Sequence, residues 1–287
     1  RFRQINFVEN NGRYNAQITQ NNARDLCAAL KLDYLSCPIG ELYSAVSAQI
    51  QAAEFPHHEG IYTQLVDENI QARIRFADVL SGIAAKHGML FTNNGNKTEV
   101  ALGYATLYGD VSGAVAPIAD LYKVQVFDLA RYLNECVYGR EVIPENIMNG
   151  ETVPSAELSE AQDVTKGLGD PIKYGYHDAL LRQIIEYRYT TCDFIQWYLD
   201  DRFLDQLEWN HAEQFYSYFE HAQAWLDDLK WVESQVRLNF FKRIQSPPII
   251  VLSKRAFGFD LREAQRPAYT PRILDHLKAQ LQQKRWR

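Results

Sequence analysis

The pattern that most constrains this chain is the order of its first three elements. Ile5 to Val8 alternates like a strand. Behind Thr19, which can cap a helix, Ala23, Leu26, Cys27 and Leu30 recur at helical spacing. Leu32 to Ile39 then reads as a second strand, stopped near Pro38. Strand, helix, strand is a βαβ unit, whose crossover is right-handed and whose strands are parallel. The chain is therefore placed in the α/β class. Between the first strand and its helix, Asn10–Asn11–Gly12 marks a turn in a polar loop.

Gly40 to Ala53 is a second helical stretch, followed by a loop holding His57 and His58. Adjacent loop histidines seldom point at one ion and no third ligand is near, so they are read as loop residues. Asp67 to His87 is the clearest helix: Ile70, Ile74, Ala77, Leu80 and Ala84 form one apolar stripe, and Gly88 is its left-handed stop. Asn69 and Arg73, four apart, share a face beside that stripe, as polar residues at a helix edge or as ligands.

Phe91 to Leu133 concentrates polar groups at two loops, as α/β proteins do where a crevice opens at the ends of their strands. Met89 to Thr92 is a short apolar run that turns at Asn93–Asn94–Gly95. Asn96 and Glu99 have the spacing of a capping box, so Glu99 is either a helix cap or a functional carboxylate. Asp110 follows Tyr108–Gly109 in a turn. Asp120 to Leu133 is amphipathic, with Leu121, Val124, Phe127 or Leu129, and Tyr132 expected inward. Lys123 sits in its first turn, where the helix dipole disfavours a cation, a hint of an anionic partner. Asn94, Glu99, Asp110 and Lys123 together suit a polyanionic nucleotide and its metal.

From Asp178 onward the chain turns helical and aromatic. That segment is net acidic, so its rings are read as packing rather than as base-stacking platforms. A basic, proline-stiffened stretch follows with Lys242–Arg243, Pro247–Pro248 and Lys254–Arg255, and Ala264 to Arg287 reads as a final helix. The net charge of −6 over 287 residues argues against broad nucleic-acid binding. No apolar run approaches the ~20 residues of a membrane span. Cys27, Cys37, Cys136 and Cys192 are spread without a metal-ligand spacing, as expected of reduced, mostly buried thiols in a cytoplasmic protein.

Several stretches, in order, resemble the NAD synthetases, especially the synthetase portion of the glutamine-dependent enzymes. They are the loop and helix start at Asn15–Ala23, Asp67-Glu-Asn-Ile-Gln-Ala-Arg-Ile-Arg75, and Gly95-Asn-Lys-Thr-Glu99 with Gly103-Tyr104. Tyr108-Gly-Asp110, Pro117-Ile118, Asp120-Leu-Tyr-Lys123, Pro154-Ser-Ala-Glu-Leu158, Tyr176 to Leu181, and Lys242-Arg243 with Lys254-Arg-Ala-Phe-Gly258 continue the match.

The resemblance implies a Rossmann-like parallel sheet of the adenine-nucleotide alpha-hydrolase type followed by a helical C-terminal layer. On that pattern residues 1–145 form the α/β nucleotide-binding part. Residues 146–287 form the helical remainder, with a basic loop at 242–260. It implies adenylation of the deamido-NAD carboxylate by ATP with Mg2+, then amidation by ammonia, drawn from glutamine, to give NAD, AMP and pyrophosphate. Carried over, Asn94, Lys123 and Ser155 line ATP; Glu99 stands near metal and deamido-NAD; Asn69, Arg73, Asp110 and Lys242 line deamido-NAD. Glu99 and Lys123 are the expected catalytic pair.

The family's Ser-Gly-Gly-x-Asp-Ser phosphate loop occurs nowhere in the sequence. With the first strand and that loop missing, and no glutaminase portion ahead of Arg1, the chain is expected to be the C-terminal piece of a longer homo-oligomeric enzyme, inactive alone. A GMP synthetase-like ligase or a non-catalytic binding or assembly module on the same fold are the alternatives.

Overall fold

The computed structural model describes residues 3–8, 16–258 and 270–286, with backbone alone for 3–8. The Asn10–Asn11–Gly12 turn, Asn15 and the stretch from 259 to 269 lie outside the described residues. The chain folds as two interleaved compact units. The first holds Arg1–Asn93, Thr106–Val115 and Gln125–Pro171; the second holds Asn94–Ala105, Ala116–Val124 and Ile172–Arg287.

In the first unit, β1 (Arg3–Val8), α1 (Gln17–Leu30) and β2 (Asp33–Pro38) make the expected βαβ unit. The strands pair in parallel, from Arg3 opposite Asp33 to Val8 opposite Pro38. Thr19 does not cap α1, because the helix begins two residues earlier. Its start is met by Glu157, whose Oε1 accepts the Ala16 N–H at 3.2 Å and the Thr19 hydroxyl at 3.0 Å. Regular strand pairing among the described residues stops at β1 and β2. The Met89–Thr92 run is reduced to a parallel bridge between Thr92 and Val115. It turns polar within four residues and leaves Leu90 exposed, too little apolar length to build a strand that packs on both faces.

Helix α2 (Gly40–Gln51) leads to α3 (Gln64–Arg73), which runs through a π-helical turn at Ile74–Leu80 into α4 (Ser81–Lys86). Ile70 and Ile74 are buried with Ile39 in a small core. Past Ile74 the stripe read at the ordinary helical period slips. The wider π turn adds a residue, so Ala77 rotates to the surface before Ala84 returns inward. Gly88 stops the helix at φ 62°, as expected.

The second unit contains α5 (Lys97–Leu102) and the start of α6 (Lys123–Tyr132), whose later residues belong to the first unit. Five helices follow: α7 (Tyr176–Glu186), α8 (Thr191–Leu199), α9 (Phe203–Leu207), α10 (Ala212–Tyr218) and α11 (Ala222–Leu238). After them come α12 (Phe240–Arg243) and α13 (Ile273–Gln283). Tyr176, Phe194, Phe215, Phe219 and Trp225 fill the core of this unit, and Trp225 Nε1 donates to the Tyr176 hydroxyl at 3.0 Å. The aromatic run is therefore packing, as its acidic surroundings indicated.

The inward face expected for α6 is not found. Val124, Leu129 and Tyr132 are exposed and no α6 residue is fully buried. No helix among the described residues is long and apolar enough to cross a membrane. All four cysteines are free, and only Cys27 is buried; Cys136 is exposed on the turn after α6, where the apolar spacing gives no hint of burial.

Candidate active site

Helix α5 is short, but it is held at both ends. At its start the Asn96 side chain accepts the Glu99 N–H, and Glu99 Oε2 accepts the Asn96 N–H at 3.1 Å, so the capping box read in the sequence is formed. At its end three carbonyls that a helix leaves open are each met by a side chain from around α12. Arg243 donates to Ala101 O, Asn239 to Leu102 O, and Lys242 Nζ to Gly103 O, all at 2.8 Å. Gly103 is in the left-handed region at φ 64°, and a Cβ there would lie 2.3 Å from the Asn239 Cβ. Only glycine permits this approach.

Beneath the first turn of α5 lies Lys97, a wholly buried lysine. Its Nζ meets Asp120 at 3.0 Å, Glu186 at 3.2 Å, the Ser253 hydroxyl at 2.6 Å and the Arg255 carbonyl at 2.7 Å. It also lies 5.0 Å over the Tyr122 ring. Burial alone would raise the Asp120 carboxyl. The N–H groups of Ser253 and Leu252, with Lys97 and the Ser253 hydroxyl, outweigh that and hold it below its usual range. Sequence reading passed over Lys97, because a lysine is almost never fully buried unless paired, and both pairing carboxylates are distant in sequence.

Glu99 has a second role besides the cap. Its Oε1 faces Lys123 Nζ at 3.3 Å, and the Tyr174 hydroxyl donates to the same oxygen at 3.4 Å. Lys123 opens α6, as expected from its unfavourable place at the dipole, and its ammonium lies 5.1 Å from the Tyr174 ring centroid. The open N–H groups of that helix are met from other elements. Lys123 N–H donates to Thr98 Oγ1 at 3.3 Å and Val124 N–H to Asp178 Oδ2 at 2.8 Å. Thr98 in turn donates to Asp178 Oδ1 at 2.5 Å. Burial keeps the Asp178 carboxyl above its usual range, although the Thr98 and Val124 bonds pull it down. The side chains of Glu99 and Lys123 remain about one-fifth exposed, so an ion pair with solvent access is set on a buried polar base.

The other expected residues fall into separate groups. Asn94 belongs to this second unit and is exposed in the turn before α5, whereas its neighbour Asn93 is buried. Lys242, expected at a dinucleotide, rests on the Gly103 carbonyl. In the first unit, Asn69, Arg73 and Asp110 gather on the turn at 106–110. Asn69 accepts from the Thr106 hydroxyl at 2.9 Å, Asp110 accepts the Thr106 N–H at 2.6 Å, and Arg73 Nε donates to Leu107 O at 3.1 Å. Tyr108 in that turn sits at φ 58°, a conformation that a bulky residue seldom adopts. Ser155 lies in the loop after Pro154, where its hydroxyl donates to Gln162 O at 2.7 Å and accepts the Glu157 N–H at 3.1 Å.

No group of three or more metal-ligating side chains occurs among the described residues. A single accessible carboxylate such as Glu99 nevertheless fits magnesium bound in its usual way, through one or two carboxylates and the phosphates of a substrate.

A mostly buried ammonium beside a carboxylate, the two sharing contacts with Tyr174, can neutralise an anionic substrate and balance charge as it moves. The family model described as NAD synthase matches residues 11–217. A glutamine-dependent NAD(+) synthetase of Xanthomonas campestris pv. campestris is 33% identical over 250 residues, covering 87% of this chain and 39% of that protein. An NH(3)-dependent NAD(+) synthetase of Chlorobium phaeobacteroides is 35% identical over 196 residues, covering 68% of this chain and 57% of that protein. A crystal structure of a glutamine-dependent NAD(+) synthetase from Cytophaga hutchinsonii superposes with a TM-score of 0.66 at 18% identity, covering 97% of this chain and 40% of that one. This α/β chain, which spans well under two thirds of those relatives, belongs to the NAD synthase family.

Proposed function

We propose that the chain forms the synthetase part of an ATP-dependent amide ligase that converts deamido-NAD to NAD. The observation that carries this reading is the Glu99–Lys123 pair, held by Tyr174, Thr98 and Asp178 inside the segment that the family model matches. A carboxylate is a poor acyl donor, so one of its oxygens first attacks the α-phosphorus of ATP and pyrophosphate leaves. Ammonia then attacks the carbonyl carbon, the bond to the phosphate oxygen breaks, AMP leaves, and the nitrogen gives up a proton.

Lys123 is read as the cation that neutralises the attacked phosphate, where negative charge grows. Glu99 holds that ammonium in place and, with the substrate phosphates, would hold magnesium, which supplies further charge neutralisation. Asn94 and Ser155 are assigned to ATP, and Asn69, Arg73, Asp110 and Lys242 to deamido-NAD. Residues 1–145 are assigned to nucleotide binding and 146–287 to the helical remainder. Glutamine is the proposed ammonia source, a reading that the relatives named glutamine-dependent support, and release of the ammonia by a glutaminase portion of the same enzyme is part of the proposal. The protein is read as a cytoplasmic homo-oligomer.

The sequence holds no Ser-Gly-Gly, so we place the pyrophosphate cradle outside these 287 residues and expect no turnover from them alone. The test is NAD formation from deamido-NAD, ATP with magnesium, and ammonia by the natural protein. AMP and NAD appearing in equal amounts support the reading. Their absence with properly folded protein overturns it.

A further inference from the structure

The segment that leads into α7 bears on the Glu99–Lys123 pair in a way that the family motifs quoted above do not single out. Lys173 and Tyr174 are neighbours in sequence, yet they are fixed by different partners. Lys173 Nζ meets Asp228 of α11 at 2.6 Å, and its N–H donates to Nδ1 of the buried His177 at 3.0 Å. That bond leaves the imidazole proton on Nε2, which faces Asp228 at 3.2 Å. Asp228 therefore gathers Lys173 and His177 from either side of Gly175, which is in the left-handed region at φ 85°. With both flanks pinned, Tyr174 is presented to Glu99 and Lys123.

The ring has two functions at that point. Its hydroxyl donates to Glu99 Oε1, and its face lies under the Lys123 ammonium. One rigid side chain thus touches both members of the pair, and it costs little conformational entropy to hold there. Lysine and glutamate side chains one-fifth exposed would otherwise sample several rotamers. We propose that Tyr174 is a positioning residue: it sets the Lys123 ammonium and the Glu99 carboxylate in register for the metal-bound triphosphate, with Lys173, His177 and Asp228 as its anchor.

The inference rests on the proposed ligase reading, and its test separates the two. The natural protein is assayed for NAD formation with Tyr174, with Tyr174→Phe and with Tyr174→Leu, each at saturating deamido-NAD and varied ATP–magnesium. Phe keeps the ring beneath the ammonium and loses the hydroxyl; Leu loses both. The expected result is a KM for ATP–magnesium raised roughly twofold by Phe and roughly fivefold or more by Leu, with kcat lowered in the same order. A role in folding alone would reduce the amount of active protein and leave KM where it was. Wild-type turnover with unchanged KM in both variants overturns the positioning role while the ligase reading stands. Wild-type protein that forms no NAD overturns the ligase reading, and the inference with it.

Discussion

Replacing Lys97 by methionine asks how much of the second unit depends on one buried charge. The substitution keeps most of the volume and removes the ammonium from Asp120, Glu186, Ser253 and the Arg255 carbonyl. Asp120 and Glu186 are then left as two buried carboxylates that have lost their shared cation. Taking away one member of a buried ion pair costs about 3–5 kcal/mol, mostly because the remaining charge stays out of water. At roughly 2–4 °C per kcal/mol for a unit of this size, the loss should exceed about 6 °C in melting temperature.

The assay is convenient, because Trp197, Trp209, Trp225, Trp231 and Trp286 all lie in the second unit, so tryptophan fluorescence during urea or thermal unfolding follows that unit. The pH dependence supplies a second check. In the native protein the Asp120 carboxyl is held below the ~3.9 of an unfolded chain, so its contribution is present above that value and is lost as pH falls through the folded one. Without Lys97 part of that depression is lost, although the Ser253 and Leu252 N–H groups still lower it, so Asp120 takes up its proton at a higher pH in the variant and the deficit should shrink on acidification. A loss under about 1 kcal/mol at neutral pH, within the range of an ordinary surface change, would refute the reasoning.

Three further perturbations follow from the same contacts. Gly103→Ala forces a left-handed alanine into the Asn239 Cβ at 2.3 Å, and should cost about 2–4 kcal/mol in urea unfolding, combining backbone strain with overpacking. Gly169→Ala would place a Cβ 2.4 Å from Val153 Cγ1 and 2.5 Å from Pro154 O, next to Ser155; faster proteolysis of that loop in the variant is expected, and an unchanged cleavage rate would count against it. Glu99→Ala in the natural protein should lower NAD formation by about a hundredfold or more, the scale of a lost electrostatic group, while the lost cap lowers folding stability by only ~1 kcal/mol.

The parts of this fold that could be read from sequence were local. The βαβ start, the long helix through Arg73, its stop at Gly88 and the Asn96–Glu99 box each follow from spacing within one or two turns. The errors arose where geometry or distance intervened. A π turn broke the phase of the stripe at Ala77, and the apolar side of α6 faces outward at Leu129 and Tyr132. Glu157 reaches back from the later loop to start α1. At the candidate site, Glu99 was legible through its capping-box spacing and Lys123 as a cation in a first turn that the helix dipole disfavours. Tyr174, Thr98, Asp178 and Lys97 were not, since a tyrosine near a helix start or a buried lysine acquires meaning only through partners that the chain brings from elsewhere.

The most direct measurement is a crystal structure of the natural protein with deamido-NAD, magnesium and a non-hydrolysable ATP analogue. Phosphate oxygens within hydrogen-bond distance of Lys123 Nζ, with Glu99 beside the metal, are the predicted result. Clear density for both nucleotides away from Lys123 and Glu99 would contradict the account.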